Sequence, residues 1–266
     1  MSTNGSIPTT KTTLWIWASG LYPRRLTYYF SAKRLPLSIL KAHNIHLIPI
    51  TSDPETHELT PKPGFEDRPA GCTLPVLRIE KPGQEPTMIY ESCAIMEYFE
   101  EKFPARDGYV ELLGNTPEQR ARTRDILLLL NDAITWANVA ARHADPRSTA
   151  WSGMTPEEQA PLAAKDANRV LQTKFLAKLE KWVQGDVGVK KCSSLSGEGI
   201  EVSVADVAVL AGVKYVEVRM GRNWVEGYKA LGDWVERAKK SEWFVEEEEI
   251  LKIEADEDGL NRLFVQ

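Results

Sequence analysis

The 266-residue sequence has few cysteines, no long apolar run and no excess of basic charge. Its cysteines, Cys72, Cys93 and Cys192, are odd in number and form no C-x-x-C pair, which argues against a disulfide framework and favours a reduced compartment. No apolar stretch approaches the roughly 20 residues of a transmembrane helix. The polar N-terminus lacks the apolar core of a signal peptide. We therefore expect a cytoplasmic protein without a membrane partner.

The charge balance excludes another class of partner. The sequence has 33 basic and 38 acidic residues, for a net charge of −5. A nucleic-acid-binding surface needs clustered basic charge to neutralise phosphates, and this composition does not supply it. Neither a nucleic-acid partner nor a metal site is predicted.

Two kinds of hydrophobic pattern divide the chain into segments. Alternating strand and helix patterns that end in a hairpin predict a small mixed sheet with flanking helices, whereas helical periodicity alone predicts an all-helical bundle. The predicted segments are a polar tail (residues 1–11), the sheet domain (12–103), a linker (104–115), the helical domain (116–250) and a C-terminal tail (251–266).

The predicted elements of the first domain come from local signals. Pro23 suits the first turn of a helix that continues to Lys33. Lys81-Pro82-Gly83-Gln84 is a turn signature between two short strands, which predicts a hairpin. Residues 53–68 are polar and proline-rich and receive no assignment. The predicted strands cover residues 12–18, 44–50, 76–79 and 88–90, and the helix after the hairpin covers 91–102.

Three start signals mark the helical domain. Thr116-Pro117-Glu118-Gln119 combines an N-cap, a proline at the first helical position and a capping glutamine, and Thr155-Pro156-Glu157-Glu158 repeats it. Ser203 and Asp206 form a further capping box, so we assign both a structural role. The apolar helix after Ser203 should be buried. Gly185 to Gly199 is predicted to be a mobile loop, and Glu246 to Glu249 a solvated face.

The most informative motif is Leu74-Pro75, followed after the hairpin by Glu91-Ser92. A proline within an apolar run belongs at a strand start, an edge or a bulge. If the Leu74–Pro75 bond is cis, the polar backbone groups of Leu74 turn outward and can pair with an extended peptide. Glu91 and Ser92 stand where free N–H groups and the positive end of a helix gather. A charged, peptide-like ligand could bind across both elements.

This motif resembles the glutathione-binding half of a glutathione transferase. The resemblance rests on Leu74-Pro75, on Glu91-Ser92-Cys93-Ala94-Ile95 with Tyr98-Phe99 after it, and on the capped helix that starts at Ser203. It covers about Leu14 to Glu246. It implies a thioredoxin-like α/β N-terminal domain followed by an all-α helical-bundle C-terminal domain. Residues 35–43 and 185–199 are longer than the family's usual connections.

The resemblance also implies how glutathione would be held as a co-substrate. Glu91 and Ser92 would bind the γ-glutamyl amine and carboxylate, and the Leu74 backbone beside Pro75 would pair with the cysteine residue. Arg24 could bind a ligand carboxylate, because its planar fork suits one. Lys62 could reach the glycine carboxylate. For Arg25 we expect a structural ion pair.

The thiolate is the reactive form of glutathione, so a group that stabilises it is needed. The family carries a tyrosine, serine or cysteine after the first strand, where this chain has Ser19-Gly20-Leu21-Tyr22-Pro23. Ser19 is the first candidate and Tyr22 the second, although the family's Ser-Pro or Cys-Pro step is absent. No cysteine lies in this turn, which disfavours thiol exchange.

The resemblance implies a glutathione transferase that adds the thiolate to a small apolar electrophile, in detoxification or in small-molecule biosynthesis. Two alternatives stay open: a glutathione-dependent isomerase or lyase, and a non-catalytic binding protein of the same fold. A homodimer is the family expectation. The second substrate would bind between the domains, against Trp17, Leu21, Trp136 and Arg142.

Overall fold

A computed structural model describes residues 10–53, 56 and 58–266. The chain divides into two compact units: the chain up to residue 110 together with 245–266, and residues 111–244. The predicted polar tail lies, through residue 9, outside the described residues. The boundary near residue 110 falls within the predicted linker.

The first unit is built on a mixed five-stranded sheet with the order β3-β2-β1-β4-β5. The central strand β1 pairs in parallel with β2 and antiparallel with β4. Its side chains from Thr12 to Ile16 are all buried, as expected for a strand covered on both faces. The strands are β1 (Lys11–Ile16), β2 (Ile45–Ser52), β3 (Leu59–Pro61), β4 (Val76–Glu80) and β5 (Thr87–Ile89).

The predicted strands and hairpin are confirmed, with ends that differ by at most two residues. Strand β3 was not predicted, because it is short and lies in the proline-rich segment 53–68. It lies at the sheet edge and pairs only with β2 among the described strands. An edge strand can carry a weak sequence signal, because it pairs along only one edge and leaves the other unpaired.

Helices α1 (Pro23–Lys33), α2 (Ser38–Ala42) and α3 (Ser92–Lys102) belong to the same unit. Helix α1 begins at Pro23 as predicted. The short helix α2 lies within the long connection of residues 35–43. Rings of Phe30 and Phe99 meet edge to face with centroids 5.2 Å apart, and Phe99 stacks on Phe103 at 6.3 Å. The contact between Phe30 and Phe99 joins α1 to α3.

The second unit is helical. The capping box at Thr116 is confirmed. Thr155 also forms its capping box, but it caps only the short 3-10 turn Pro156–Glu158, and the longer helix starts at Pro161. The helices are α4 (Pro117–Ala144), α5 (Thr149–Ser152), α6 (Pro161–Val170), α7 (Ala177–Val183), α8 (Val204–Met220) and α9 (Lys229–Ala238), with π-helical turns at Leu171–Leu176 and Gln184–Lys190.

The prediction of a loop from Gly185 to Gly199 is wrong for residues 185–190, which are helical, whereas residues 191–199 form no regular helix. Its first part is the π-helical segment, where a Cβ added at Gly188 would stand 3.0 Å from the Ala230 Cβ. Arg237 Nη2 donates to the Val187 carbonyl over 2.9 Å. Gly188 thus allows close packing against α9, so a glycine at this position did not signal mobility.

Helix α8 is buried nearly all round, as predicted. Its capping box is closed: the Ser203 amide donates to Asp206 Oδ2 over 2.7 Å, and Asp206 N–H donates to Ser203 Oγ. Asp206 also accepts from Ser194 Oγ and the Leu195 amide. Burial raises the pKa of Asp206 to about 6, although these hydrogen bonds oppose the shift.

The C-terminal segment belongs to the first unit, which differs from the predicted boundaries at 250 and 251. Helix α10 (Glu247–Ala255) is followed by a 3-10 turn at Gly259–Leu263. Val265 exchanges backbone hydrogen bonds with Leu35 and Leu37, at 2.9 and 2.7 Å. Glu246 and Glu248 are exposed, but Glu247 is only half-exposed because it pairs with Arg24. The solvated face is therefore interrupted at Glu247.

Candidate functional site

The candidate site lies where the end of β1, the start of β4 and the start of α3 come together. In the observed register Trp15 pairs with Val76 and Leu77 pairs with Ile89. The pairing ends there, and extending both registers by two residues would bring Leu74 beside Trp17 and Pro75 beside Glu91. Sheet pairing therefore joins the two motifs that are sixteen residues apart in the sequence.

The peptide bond between Leu74 and Pro75 is cis. Leu74 is half-buried and packs against the cluster formed by Trp15, Ile48, Ile50 and Val76. Within the described residues, no hydrogen bond is made by the amide or carbonyl of Leu74. The backbone just ahead of β4 thus keeps one donor and one acceptor for a ligand.

Helix α3 begins beside this backbone. Its N-cap residue is Glu91, which is exposed and makes no side-chain cap hydrogen bond. The first N–H groups of the helix therefore lack the side-chain acceptor that an N-cap often supplies. A free helix start with its positive dipole end favours an anionic ligand group, and Glu91 adds an exposed carboxylate for a cationic one.

Ser92 is buried, with 2 % of its surface exposed, and Arg25 Nη1 donates to its Oγ over 3.2 Å. The same nitrogen lies 3.2 Å from Cys93 Sγ. Sequence reasoning gave Arg25 only a structural role and missed this contact with a site residue. Its signal was weak, because only the fold reveals which of two adjacent arginines faces α3.

The turn after β1 is closely packed. Ser19 is fully buried, and its amide donates to Glu254 Oε1 over 2.7 Å. A Cβ added at Gly20 would stand 2.7 Å from Cε3 of the Trp17 ring. A side chain at position 20 would therefore require the half-buried Trp17 ring to shift. This turn, which lacks a Ser-Pro or Cys-Pro step, is thus closely packed around a glycine.

Tyr22 is the half-buried residue directly before α1. The Arg25 guanidinium carbon lies 5.2 Å from the centre of its ring. Its hydroxyl makes no hydrogen bond with any part of the chain that the structure describes. Of the two predicted catalytic residues, Tyr22 is therefore the one with a free hydroxyl that is accessible to solvent.

Arg24 and Lys62 are engaged elsewhere. Arg24 is fully buried and pairs with Glu247, with Nη1 to Oε2 at 2.5 Å and Nη2 to Oε1 at 3.1 Å. This pair raises the pKa of Arg24 against the effect of burial, which is the largest influence and lowers it. Lys62 is 7 % exposed and donates to the Asp256 carbonyl over 2.7 Å. The prediction that Arg24 and Lys62 are available to bind glutathione is therefore corrected: both hold the C-terminal segment.

The residues proposed to line the second-substrate pocket divide between the units. Trp17 and Leu21 are half-buried in the first unit. Trp136 is half-buried and Arg142 is exposed, both on α4 of the second unit. The pocket between the domains stays a prediction.

Three further features bear on chemistry. The three cysteines are free thiols. Across residues 10–53, 56 and 58–266, no group of three or more His, Cys, Asp or Glu side chains could hold a metal ion. None of the helices in that part of the chain is long and apolar enough to span a membrane.

No protein-family model and no curated protein matches the sequence. Solved structures match at low identity. FzlA from C. crescentus is 21% identical, with a TM-score of 0.55, over 88% of this chain and 90% of that chain. A maleylacetoacetate isomerase from Anaeromyxobacter dehalogenans 2CP-1, with bound dicarboxyethyl glutathione and citrate, is 18% identical, with a TM-score of 0.56 over 89% of this chain and 90% of that one.

A plant enzyme matches equally well. Glutathione transferase F7 from Populus trichocarpa is 15% identical, with a TM-score of 0.56, over 91% of this chain and 98% of that chain. The matches cover 88% to 91% of this chain and so include most of both units. The chain therefore has the glutathione transferase fold, with a thioredoxin-like N-terminal unit and an all-helical C-terminal unit.

Proposed function

We propose that the first unit binds glutathione and that the protein is a glutathione transferase acting on a small apolar electrophile. The observation that carries the proposal is the unpaired backbone of Leu74 beside the uncapped start of α3. Glutathione is a short extended peptide with charged ends. It matches one free backbone edge and one free helix start better than a neutral or globular ligand would.

Each part of glutathione has a partner in this proposal. The γ-glutamyl carboxylate accepts from the first N–H groups of α3, and its amine pairs with Glu91. The cysteine residue pairs with the amide and carbonyl of Leu74. Arg25 acts indirectly, because its hydrogen bond to Ser92 holds the first turn of α3 in position.

Tyr22 is the residue we assign to the thiol. Its hydroxyl can donate to the sulfur, and the positive end of α1 favours the negative thiolate. The thiolate then forms a carbon–sulfur bond with the electrophile, whose leaving group departs with the electron pair. An electrophilic double bond instead takes up a proton at the neighbouring carbon. The second substrate would contact Trp17 and Leu21.

Calorimetric titration with glutathione tests the binding step. We expect binding that Glu91→Gln weakens by about tenfold or more, since a charge-assisted hydrogen bond contributes roughly 1.5–3 kcal/mol. The matched control is Glu101→Gln, an exposed glutamate near the other end of α3. No binding at millimolar glutathione, or equal weakening by both variants, would refute the proposal.

Ultraviolet difference absorbance between pH 6 and 8 tests the thiol step. Bound thiolate should absorb in the native protein, and Tyr22→Phe should remove that signal while glutathione still binds. Ser19→Ala with Tyr22→Phe should behave like Tyr22→Phe alone, because Ser19 is buried. Unchanged turnover in the double variant would show that neither residue activates the thiol.

A second function is favoured by one observation. Ser19 is buried and position 20 is a glycine closely packed against Trp17, so the turn after β1 offers few groups for thiol chemistry. A protein that binds glutathione without activating it would give calorimetric binding and no thiolate signal. Light scattering on the same sample would test the proposed homodimer.

A further inference from the structure

The second unit contains a cavity of about 280 Å³ that the proposed glutathione site does not include. It lies between α4, the π-helical turn after α6 and the end of α8. This volume is just below the range of about 300–1,000 Å³ that is usual for small-molecule sites. Its apolar wall consists of Ala137, Ala140, Ala141, Ala144, Leu171, Val216, Met220 and Trp224.

Trp224 adds a hydrogen-bond donor, its indole N–H, to the lining of this cavity. It is 6 % exposed, and its ring is fixed against Gly212, where an added Cβ would stand 3.0 Å from Cζ3. Two other buried indoles have acceptors: Trp15 Nε1 donates to Glu66 and Trp234 Nε1 donates to Ser193. The Trp224 indole N–H has no acceptor within the described ranges.

A buried indole N–H usually finds a hydrogen-bond partner. The Trp224 nitrogen is not one of the fully enclosed unpaired atoms, so part of its surface stays open. Because Trp224 lines the cavity, an acceptor oxygen of a molecule bound there could pair with this open N–H group.

The rim determines which acceptor suits the site. Arg222 lines the cavity, is exposed and makes no ion pair with any described residue. The side-chain amides of Asn168 and Gln172 line it as well and make no hydrogen bonds to the described residues. Asp145 is the one acidic side chain in the lining, and it already interacts with another residue.

We propose that this cavity binds a small aromatic carboxylic acid. The aromatic body lies against Leu171, Val216 and the alanine face of α4. One carboxylate oxygen accepts from Trp224 Nε1–H, and Arg222 at the rim compensates the charge. The proposal does not depend on glutathione binding.

Nuclear magnetic resonance of the indole N–H groups tests it with 2-naphthoate as the probe. The chain has 8 tryptophans, and Trp224→Phe identifies the Trp224 signal by its loss. We expect 2-naphthoate to shift the Trp224 signal. Naphthalene-2-methanol, which has the same ring system without the charge, should bind about tenfold more weakly.

Substitutions then separate this cavity from non-specific binding. Ala141→Phe fills the space and should abolish binding, whereas Ala121→Phe changes an exposed alanine of the same helix and should not. Trp224→Phe should weaken 2-naphthoate binding about tenfold, with Trp151→Phe, an exposed indole, as its control. Arg222→Gln should cost about threefold, as expected for an exposed charge.

Circular dichroism of each variant checks that it folds. Two results would overturn the proposal. One is no shift of the Trp224 signal with millimolar 2-naphthoate. The other is an unchanged affinity in folded Ala141→Phe.

Discussion

Helices α3 and α8 both begin with a serine near an acidic residue, and they use these residues differently. At α8, Asp206 is fully buried and its carboxylate accepts from Ser194, Leu195 and Ser203. At α3, Glu91 is exposed and makes no cap hydrogen bond. A helix start whose donors are satisfied by the chain stabilises the fold, whereas one that is left open is available to a ligand.

The turn before α1 resembles the start of α8, because its polar groups already have partners within the chain; we call such a helix start closed and the start of α3 open. Ser19 and Arg24 are held by Glu254 and Glu247 of the C-terminal segment. Only Tyr22 keeps a hydroxyl without a partner among the described residues. Substitutions at each helix start should therefore separate closed starts, which stabilise the fold, from open starts, which are available to a ligand.

Asp206→Ala should lower the free energy of unfolding by about 4 kcal/mol, because several buried donors lose their acceptor. Glu91→Ala should cost less than about 1 kcal/mol, since its carboxylate is exposed. Urea unfolding followed by circular dichroism measures both. Similar costs for the two variants would remove the distinction between the helix starts.

Asp206 also gives a pH dependence. Its pKa is raised from 3.8 to about 6 in the folded protein, so the folded state binds its proton more tightly than the unfolded chain. Its stabilising contribution is therefore complete below about pH 4 and is lost as pH rises through 6, a change on the order of 3 kcal/mol. The loss of unfolding free energy that Asp206→Asn causes relative to wild type should therefore become smaller as pH rises from 4 to 7. Urea unfolding measures it. A cost that grows with pH would contradict this sign.

Glu247→Ala should destabilise the protein by about 3 kcal/mol, because it leaves the buried Arg24 guanidinium without its partner. Its neighbour Glu248 is exposed, and Glu248→Ala should have little effect on thermal unfolding. If Glu247→Ala were instead neutral and strengthened glutathione binding, Arg24 would be a ligand residue that the C-terminal segment normally blocks.

Ser92→Ala should cost about 1 kcal/mol of stability and weaken glutathione binding, because Arg25 loses an acceptor and α3 loses its support. Cys93→Ala removes the neighbouring sulfur contact and should have a smaller effect in both chemical unfolding and calorimetry. Equal effects would mean that Arg25 does not act through Ser92.

Ser19→Ala should have the smallest effect on function, changing glutathione affinity less than about twofold, because the side chain is fully buried. Calorimetry measures the glutathione affinity of Ser19→Ala, and initial rates compare its turnover with that of Tyr22→Phe. A loss of turnover in Ser19→Ala, with Tyr22 unchanged, would show that Ser19 contributes to catalysis.

Much of the fold could be predicted because its signals are local. The capping boxes at Thr116 and Ser203 link residues three apart, and Pro23 fixes a helix start by its own backbone geometry. Strand β3 escaped prediction because its pairing with β2, rather than its own sequence, forms it. Residues 185–190 were misjudged because a glycine that permits close packing, such as Gly188, resembles a glycine that permits motion.

The sequence by itself determined four of the five strands, the helix caps and the Leu74-Pro75 and Glu91-Ser92 motif. Only the tertiary structure decided which polar groups remain free. Arg24 meets Glu247 across 223 residues of sequence, Ser19 meets Glu254 across 235, and Lys62 meets Asp256 across 194. A charged side chain binds whatever partner folding brings within a few ångströms, and no local pattern encodes a partner so distant in the chain.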